Sequence, residues 1–126
     1  MFKKFKMNAY IIIFSVVLIL ILAIIYNMKN VEKFTNNDIS VEYYFMPNCG
    51  HCKKFNSTWD ELLTQVSGVS FKKYDITDGS IGSKRSDKFN INSAPTIIKV
   101  NKKTDKIIEE FNGNRTLKEL KSFVNM

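Results

Sequence analysis

Histidine and cysteine are scarce in this 126-residue sequence, which contains one histidine and two cysteines. A structural zinc site normally takes four Cys or His ligands. This chain offers only three candidates, two of them adjacent, so we expect no bound metal. Internal repeats and low-complexity tracts are also missing from the sequence. With 44% hydrophobic residues, the chain has enough apolar material for one small domain and one further segment.

Positive charge is in excess, but it forms no continuous basic segment. The formal net charge is +7, and the three lysines within the first six residues contribute part of it. The paired lysines lie in different predicted elements: Lys53-Lys54, Lys72-Lys73 and Lys102-Lys103. Because a nucleic-acid-binding protein is expected to collect its basic residues on one face, we interpret these lysines as solvated and predict no nucleic-acid partner.

One long hydrophobic run lies near the N-terminus. From Tyr10 to Tyr26 every residue except Ser15 is apolar or aromatic. About 20 residues at about 1.5 Å of rise each match the roughly 30 Å of a bilayer's hydrocarbon core. We therefore predict a transmembrane helix over residues 7–28, with the lipid bilayer as a partner.

A cleaved signal peptide is the competing interpretation, but its apolar core is usually only about 7 to 15 residues long and ends at a small-residue site. Here the run is longer and has no Ala-x-Ala pattern near Ala23, which favours a retained signal anchor. Lysines are denser before the run than after it, so residues 1–6 are predicted to be cytosolic. The rest of this single-pass protein would then be lumenal or extracytoplasmic, in the ER, another endomembrane or a viral membrane, where disulfides persist.

Both cysteines and the histidine fall within four residues, Cys49-Gly50-His51-Cys52. The preceding run, Val41–Phe45, is rich in aromatic and β-forming residues, whereas apolar residues recur at helical spacing from Phe55 to Val66. A strand therefore delivers the motif to the start of a helix. The first turn of a helix has unpaired N–H groups and a partial positive charge, and both favour an anion.

This placement predicts a redox pair with Cys49 as the attacking thiolate, since helix position lowers a thiol pKa. His51, when protonated, adds a cation that stabilises the thiolate, and Gly50 permits the tight turn into the helix. Cys52, one turn further on and more buried, is predicted to be the resolving thiol. A purely structural disulfide is the weaker alternative, because so small a ring would restrain little chain entropy.

These residues resemble the thioredoxin superfamily, most closely the catalytic domains of protein disulfide isomerases, whose active-site motif is Cys-Gly-His-Cys. The resemblance spans about Val41 to Val124 and includes Ala94-Pro95-Thr96, which is similar to the family's cis-proline loop. It implies an α/β fold for residues 41–126. The expected architecture is a reduced thioredoxin fold, a four-stranded mixed sheet flanked by helices, following the transmembrane helix and a polar linker over residues 29–40.

The resemblance also implies roles for residues outside the motif. A cis Pro95 would place its loop against the cysteine pair, and Ala94, Pro95 and Thr96 would then form a groove that pairs with an extended substrate backbone. Without the motif, Pro95 would read as an ordinary proline at the start of a strand. Arg115 matches an arginine of the isomerases that can swing towards the active site and modulate the pKa of the active-site thiols.

The sequence departs from the isomerase pattern beneath the site. Six residues before Cys49, where isomerases usually have a buried glutamate, this chain has Tyr43. Glu42 is one residue away, and because strand side chains alternate, it should face the opposite side of the sheet unless the strand has a bulge. Without the acid, turnover would be slower.

The sequence therefore predicts a membrane-anchored thiol-disulfide oxidoreductase or isomerase that exchanges disulfides with protein substrates and a redox partner and needs no cofactor. The direction of electron flow stays open, because the motif permits oxidation, reduction and isomerisation. One alternative is a binding or assembly module of the same fold with weak redox activity. A cytosolic reductase in the reverse membrane orientation is another.

Overall fold

The structure is a computed structural model that describes residues 2–29 and 36–125, with side chains over residues 8–26 and 37–125. The predicted linker over residues 29–40 therefore lies partly outside the described residues. The chain divides into two compact units, one built on the N-terminal helix and the other on the remaining elements.

The first unit is helix α1, Phe2–Lys29. Its segment Asn8–Tyr26 has 19 residues and a mean hydropathy of 3.0. Between Tyr10 and Tyr26, Ser15 is the one polar residue of the segment. Its hydroxyl donates to the carbonyl of Ile12 at 2.8 Å, so this polar group is satisfied within the helix. By length and composition this segment is a candidate membrane span, although a signal sequence has the same properties.

The second unit alternates strands and helices. After a short 3₁₀ turn, Asn36–Asp38, its elements are β1 (Ile39–Phe45), α2 (Gly50–Gln65), β2 (Ser70–Asp75), α3 (Ile81–Lys88), β3 (Thr96–Asn101), β4 (Lys106–Glu110) and α4 (Leu117–Asn125). β1 begins at Ile39, two residues before the predicted start of the domain at residue 41, and Ile39 and Ser40 already pair with β3. The motif helix begins where the sequence predicts it.

The strands form one sheet in the order β2-β1-β3-β4. β1 is parallel to β2 and antiparallel to β3, which is antiparallel to β4. The predicted four-stranded mixed sheet is therefore confirmed. β1 lies inside this sheet, so the motif that follows it is held by a strand with partners on both sides.

The side chains of β1 alternate between two cores. Val41 and Tyr43 belong to the larger core, which also contains Trp59 of α2 and Phe123 of α4. Tyr44 belongs to a smaller core on the other face of the sheet. This smaller core comprises Tyr44, Ile98 and Val100 with Tyr74, Ile76, Phe89 and Ile91 packed against it.

Glu42 shares the Tyr44 face and is completely buried. Its carboxylate accepts hydrogen bonds from Arg85 Nε at 2.6 Å, Arg85 Nη2 at 2.7 Å and the Tyr44 hydroxyl at 2.6 Å. β1 pairs with β2 in unbroken register from Ser40 to Phe45, so it contains no bulge. Glu42 therefore points away from the face of Tyr43, as strand alternation predicts.

Candidate active site

Cys49 occupies the N-cap position of α2, directly after the loop that follows β1. Its sulfur accepts a hydrogen bond from the backbone N–H of Cys52 at 3.1 Å, which satisfies one of the unpaired donors of the first helical turn. An ionised acceptor makes such a bond stronger, and the positive end of the helix favours the same charge.

These surroundings lower the pKa of the Cys49 thiol. The largest cause is a hydrogen bond from the thiol of Cys52, followed by the backbone N–H groups of Cys52 and His51 and the positive charge of Arg115, while burial opposes them. Cys49 is only partly buried, so an incoming sulfur can reach it. The site therefore favours an accessible thiolate at this position.

Cys52 lies behind Cys49 and is 1% exposed. Its pKa is raised, chiefly because burial disfavours the charged form and further because its thiol donates to Cys49. Both cysteines are free thiols in this structure. The two thiols thus ionise in a fixed order, with the accessible Cys49 first.

The proline loop lies against the cysteine pair. The Ala94–Pro95 peptide bond is cis, as the resemblance implied. The Cys49 thiol donates to the carbonyl oxygen of Ala94 at 3.6 Å, and Arg115 Nη2 donates to the carbonyl oxygen of Pro95 at 3.1 Å. The structure thus brings together Cys49, Ala94, Pro95 and Arg115, which lie up to 66 positions apart in the sequence.

The other residues singled out in the sequence lie around these four. Gly50 and His51 form the exposed first turn of α2. Thr96 is the first residue of β3 and is buried, and its hydroxyl donates to the carbonyl of Ser93 at 2.8 Å. Thr96 therefore braces the proline loop with its side chain.

A tyrosine hydroxyl beneath Cys52 is the feature that sequence reasoning missed. Tyr43 is fully buried, and its hydroxyl lies 3.4 Å from the carbonyl oxygen of Cys52 and 3.2 Å from Oδ1 of Asn56. Burial is the main cause that raises the Tyr43 pKa, so the hydroxyl stays protonated and remains a donor. The interaction of this hydroxyl with the Cys52 thiol lowers the pKa of Cys52 and partly offsets burial there. The sequence contained one indication of this role, because Tyr43 lies six residues before Cys49, where isomerases usually have a buried glutamate.

We expect Cys49 to be alkylated at lower pH than an unstructured thiol. A lowered pKa means that the thiolate persists as pH falls, so the iodoacetamide rate at Cys49 should rise through a midpoint below about 8.5, the value of a free cysteine. The measurement is the alkylation rate of each cysteine in the reduced full chain between pH 4 and 10, resolved by mass spectrometry.

Two controls belong to this titration. Arg115→Met should move the Cys49 midpoint upward, because a positive charge that favours the thiolate is lost. The chain unfolded in urea supplies the unstructured reference. Equal midpoints for folded and unfolded chains would contradict the expectation.

Among the side chains the structure describes, no group of three or more Cys, His, Asp or Glu comes together.

The sequence pattern of the thioredoxin family matches residues 24–126. A protein disulfide-isomerase of Drosophila melanogaster is 30% identical over 102 residues, which cover 79% of this chain and 19% of that protein. Protein disulfide-isomerase erp38 of Neurospora crassa is 32% identical over 82 residues, covering 63% of this chain and 22% of that protein. The chain thus spans about a fifth of the length of the isomerases it matches.

Solved structures agree on the fold. The J-Trx1 fragment of ERdj5 has a TM-score of 0.61 at 20% identity, covering 72% of this chain and 43% of that one. The thioredoxin of Fasciola hepatica has a TM-score of 0.59 at 19% identity, covering 71% and 80% of the two chains. The family match covers both cysteines, the cis-proline loop and all four strands, and its relatives at about 30% identity are disulfide-isomerases. The chain therefore belongs to the thioredoxin family.

Proposed function

We propose that this protein is a membrane-anchored thiol-disulfide oxidoreductase that exchanges disulfides with protein substrates through Cys49 and Cys52. The observation that carries the proposal is the position of the Cys49 sulfur. It caps α2, has a lowered pKa and lies 3.6 Å from the carbonyl of the cis-proline loop. A partly exposed sulfur in these surroundings is suited to attack a disulfide.

In the reductive direction, the Cys49 thiolate attacks one sulfur of a substrate disulfide. The substrate S–S bond breaks, the other substrate sulfur leaves as a thiolate, and a mixed disulfide with Cys49 forms. Cys52 then loses its proton and attacks the Cys49 sulfur, which releases the second substrate thiolate. The substrate disulfide has gained two electrons, and the Cys49–Cys52 pair has become a disulfide.

The second step requires a thiolate from a buried residue. Tyr43 supports it, because a neutral hydroxyl that stays protonated can donate to the developing charge on Cys52. The oxidative direction runs the same steps in reverse, and the redox partner sets which one operates. Neither direction uses a bound cofactor.

The membrane part of the proposal rests on α1. Its apolar segment is long enough to span a bilayer, and the lysines before it favour a cytosolic N-terminus. The second unit would then work on the lumenal or extracytoplasmic side, where substrate disulfides persist.

Cys52→Ala in the full chain should accumulate mixed disulfides through Cys49, since attack can proceed but release cannot. The variant is expressed with a C-terminal tag, sealed vesicles are isolated, and adducts are separated by non-reducing electrophoresis. We expect adducts that disappear on reduction, stay in the membrane fraction and resist external protease.

Cys49→Ala with Cys52→Ala is the matched control and should form no adduct. Capture that persists in this double variant would favour a binding module over the exchange enzyme. Adducts that external protease digests would instead reverse the proposed membrane orientation.

A further inference from the structure

A small cavity beside the cysteine pair is lined largely by basic side chains. His51, Lys54 and Arg115 border a volume of about 220 Å³, together with Thr58 and Phe55. Lys54 and Arg115 are both exposed and each carries a formal positive charge. Across residues 37–125, none of these three basic side chains forms a salt bridge. No carboxylate of residues 37–125 therefore pairs with these side chains, and the charge of Arg115 also favours the nearby Cys49 thiolate.

A second cavity, of about 340 Å³, borders Cys49 itself. Its lining is uncharged and consists of Met46, Pro47, Asn48, Cys49 and Thr77. The surroundings of the reactive sulfur are therefore electrostatically asymmetric, with cations in only one of the two cavities.

The proline loop connects the basic cavity to the reactive sulfur. Arg115 donates to the carbonyl of Pro95, while the Cys49 thiol donates to the carbonyl of the adjacent Ala94. An extended substrate that pairs its backbone with this loop would bring its cysteine to Cys49. A side chain a short distance along the same substrate would then lie beside Arg115 and Lys54.

We propose that this basic cavity is a specificity subsite for substrates that carry Asp or Glu close to the reacting cysteine. The inference rests on the proposed exchange activity and names the class of substrate for it. A substrate carboxylate would accept hydrogen bonds from Arg115 and Lys54, which have no carboxylate partner among residues 37–125. Because Lys54 and Arg115 are exposed, the preference is modest and weakens with added salt.

The test uses two peptide disulfides that are identical except for Glu or Lys on both sides of the reacting cysteine. Each reacts with the reduced full chain in nonionic detergent, and the second-order rate constant is measured at low salt and in 0.5 M NaCl. At low salt we expect the acidic peptide to react roughly 1.5- to fivefold faster, the factor that an exposed ion pair provides. The difference should shrink at high salt.

Charge reversal at Lys54 identifies the cavity. Lys54→Glu should abolish or invert the preference, and Lys54→Met should remove most of it. Lys53→Glu is the matched control, because it makes the same charge change at an exposed position on the same helix that does not line the cavity. It should retain the preference for the acidic peptide.

The outcomes separate this inference from the function on which it rests. Equal rates for the two peptides at low salt would overturn the subsite, as would equal effects of Lys53→Glu and Lys54→Glu. Failure of both peptides to react with the wild-type chain would instead overturn the exchange activity itself.

Discussion

Cys49→Ser is expected to reduce the rate of disulfide exchange by roughly a thousandfold or more, the scale of removing a catalytic nucleophile. A serine hydroxyl stays protonated at neutral pH and does not attack disulfides. Cys52 cannot replace the lost thiolate, because it is 1% exposed and burial raises its pKa. The measurement is the second-order rate constant for a peptide disulfide, supported by the turbidity assay of insulin reduction.

Cys52→Ser provides the comparison that assigns the two roles. It should retain the first attack by Cys49 while losing multiple turnover, since the mixed disulfide is no longer resolved internally. Fluorescence of Trp59, the one tryptophan of the chain and 1% exposed, checks that both variants are folded. Rapid first attack by Cys49→Ser, together with none by Cys52→Ser, would reverse the assignment.

Local patterns were enough to predict how the motif is positioned. Alternation along β1 predicts Tyr43 and Glu42 on opposite faces of the sheet, and helical spacing predicts Trp59 on the apolar face of α2, as the structure has them. The cis-proline loop came from the family resemblance instead. Nothing in the residues around Pro95 distinguishes it from a proline that starts a strand.

Contacts between side chains that are far apart in the chain could not be predicted from the sequence. The sequence shows only that Tyr43 replaces the expected buried glutamate, and the structure is needed to place its hydroxyl beneath Cys52. Glu42 and Arg85 are 43 residues apart on a strand and a helix, so no local period links them. The basic cavity likewise joins the first helical turn to Arg115, which precedes α4.

The pair of Glu42 and Arg85 is also where the largest loss of stability is expected. Glu42 is completely buried, whereas the Arg85 side chain is 17% exposed and also pairs with Asp105 at 2.9 Å. Arg85 lies over the ring of Phe89, so its stem and guanidinium also contribute to the smaller core. Removing the arginine would leave a buried carboxylate whose remaining partner is the Tyr44 hydroxyl.

Arg85→Met should therefore lower the free energy of unfolding by about 3–5 kcal/mol, the cost of leaving one member of a buried ion pair uncompensated. That is a large share of the roughly 5–15 kcal/mol that holds a typical domain folded. The measurement is urea unfolding of the full chain in nonionic detergent, followed by Trp59 fluorescence.

Two further variants show whether the buried charge is the cause. Glu42→Gln combined with Arg85→Met should cost less than Arg85→Met alone, because it removes the carboxylate charge and keeps an acceptor for Tyr44. Lys88→Met removes the exposed lysine that also pairs with Asp105, and it should cost less than about 1 kcal/mol. If Arg85→Met were as mild as Lys88→Met, the pair would contribute little to the fold. If the double variant were no more stable than Arg85→Met alone, packing of the arginine rather than its charge would dominate.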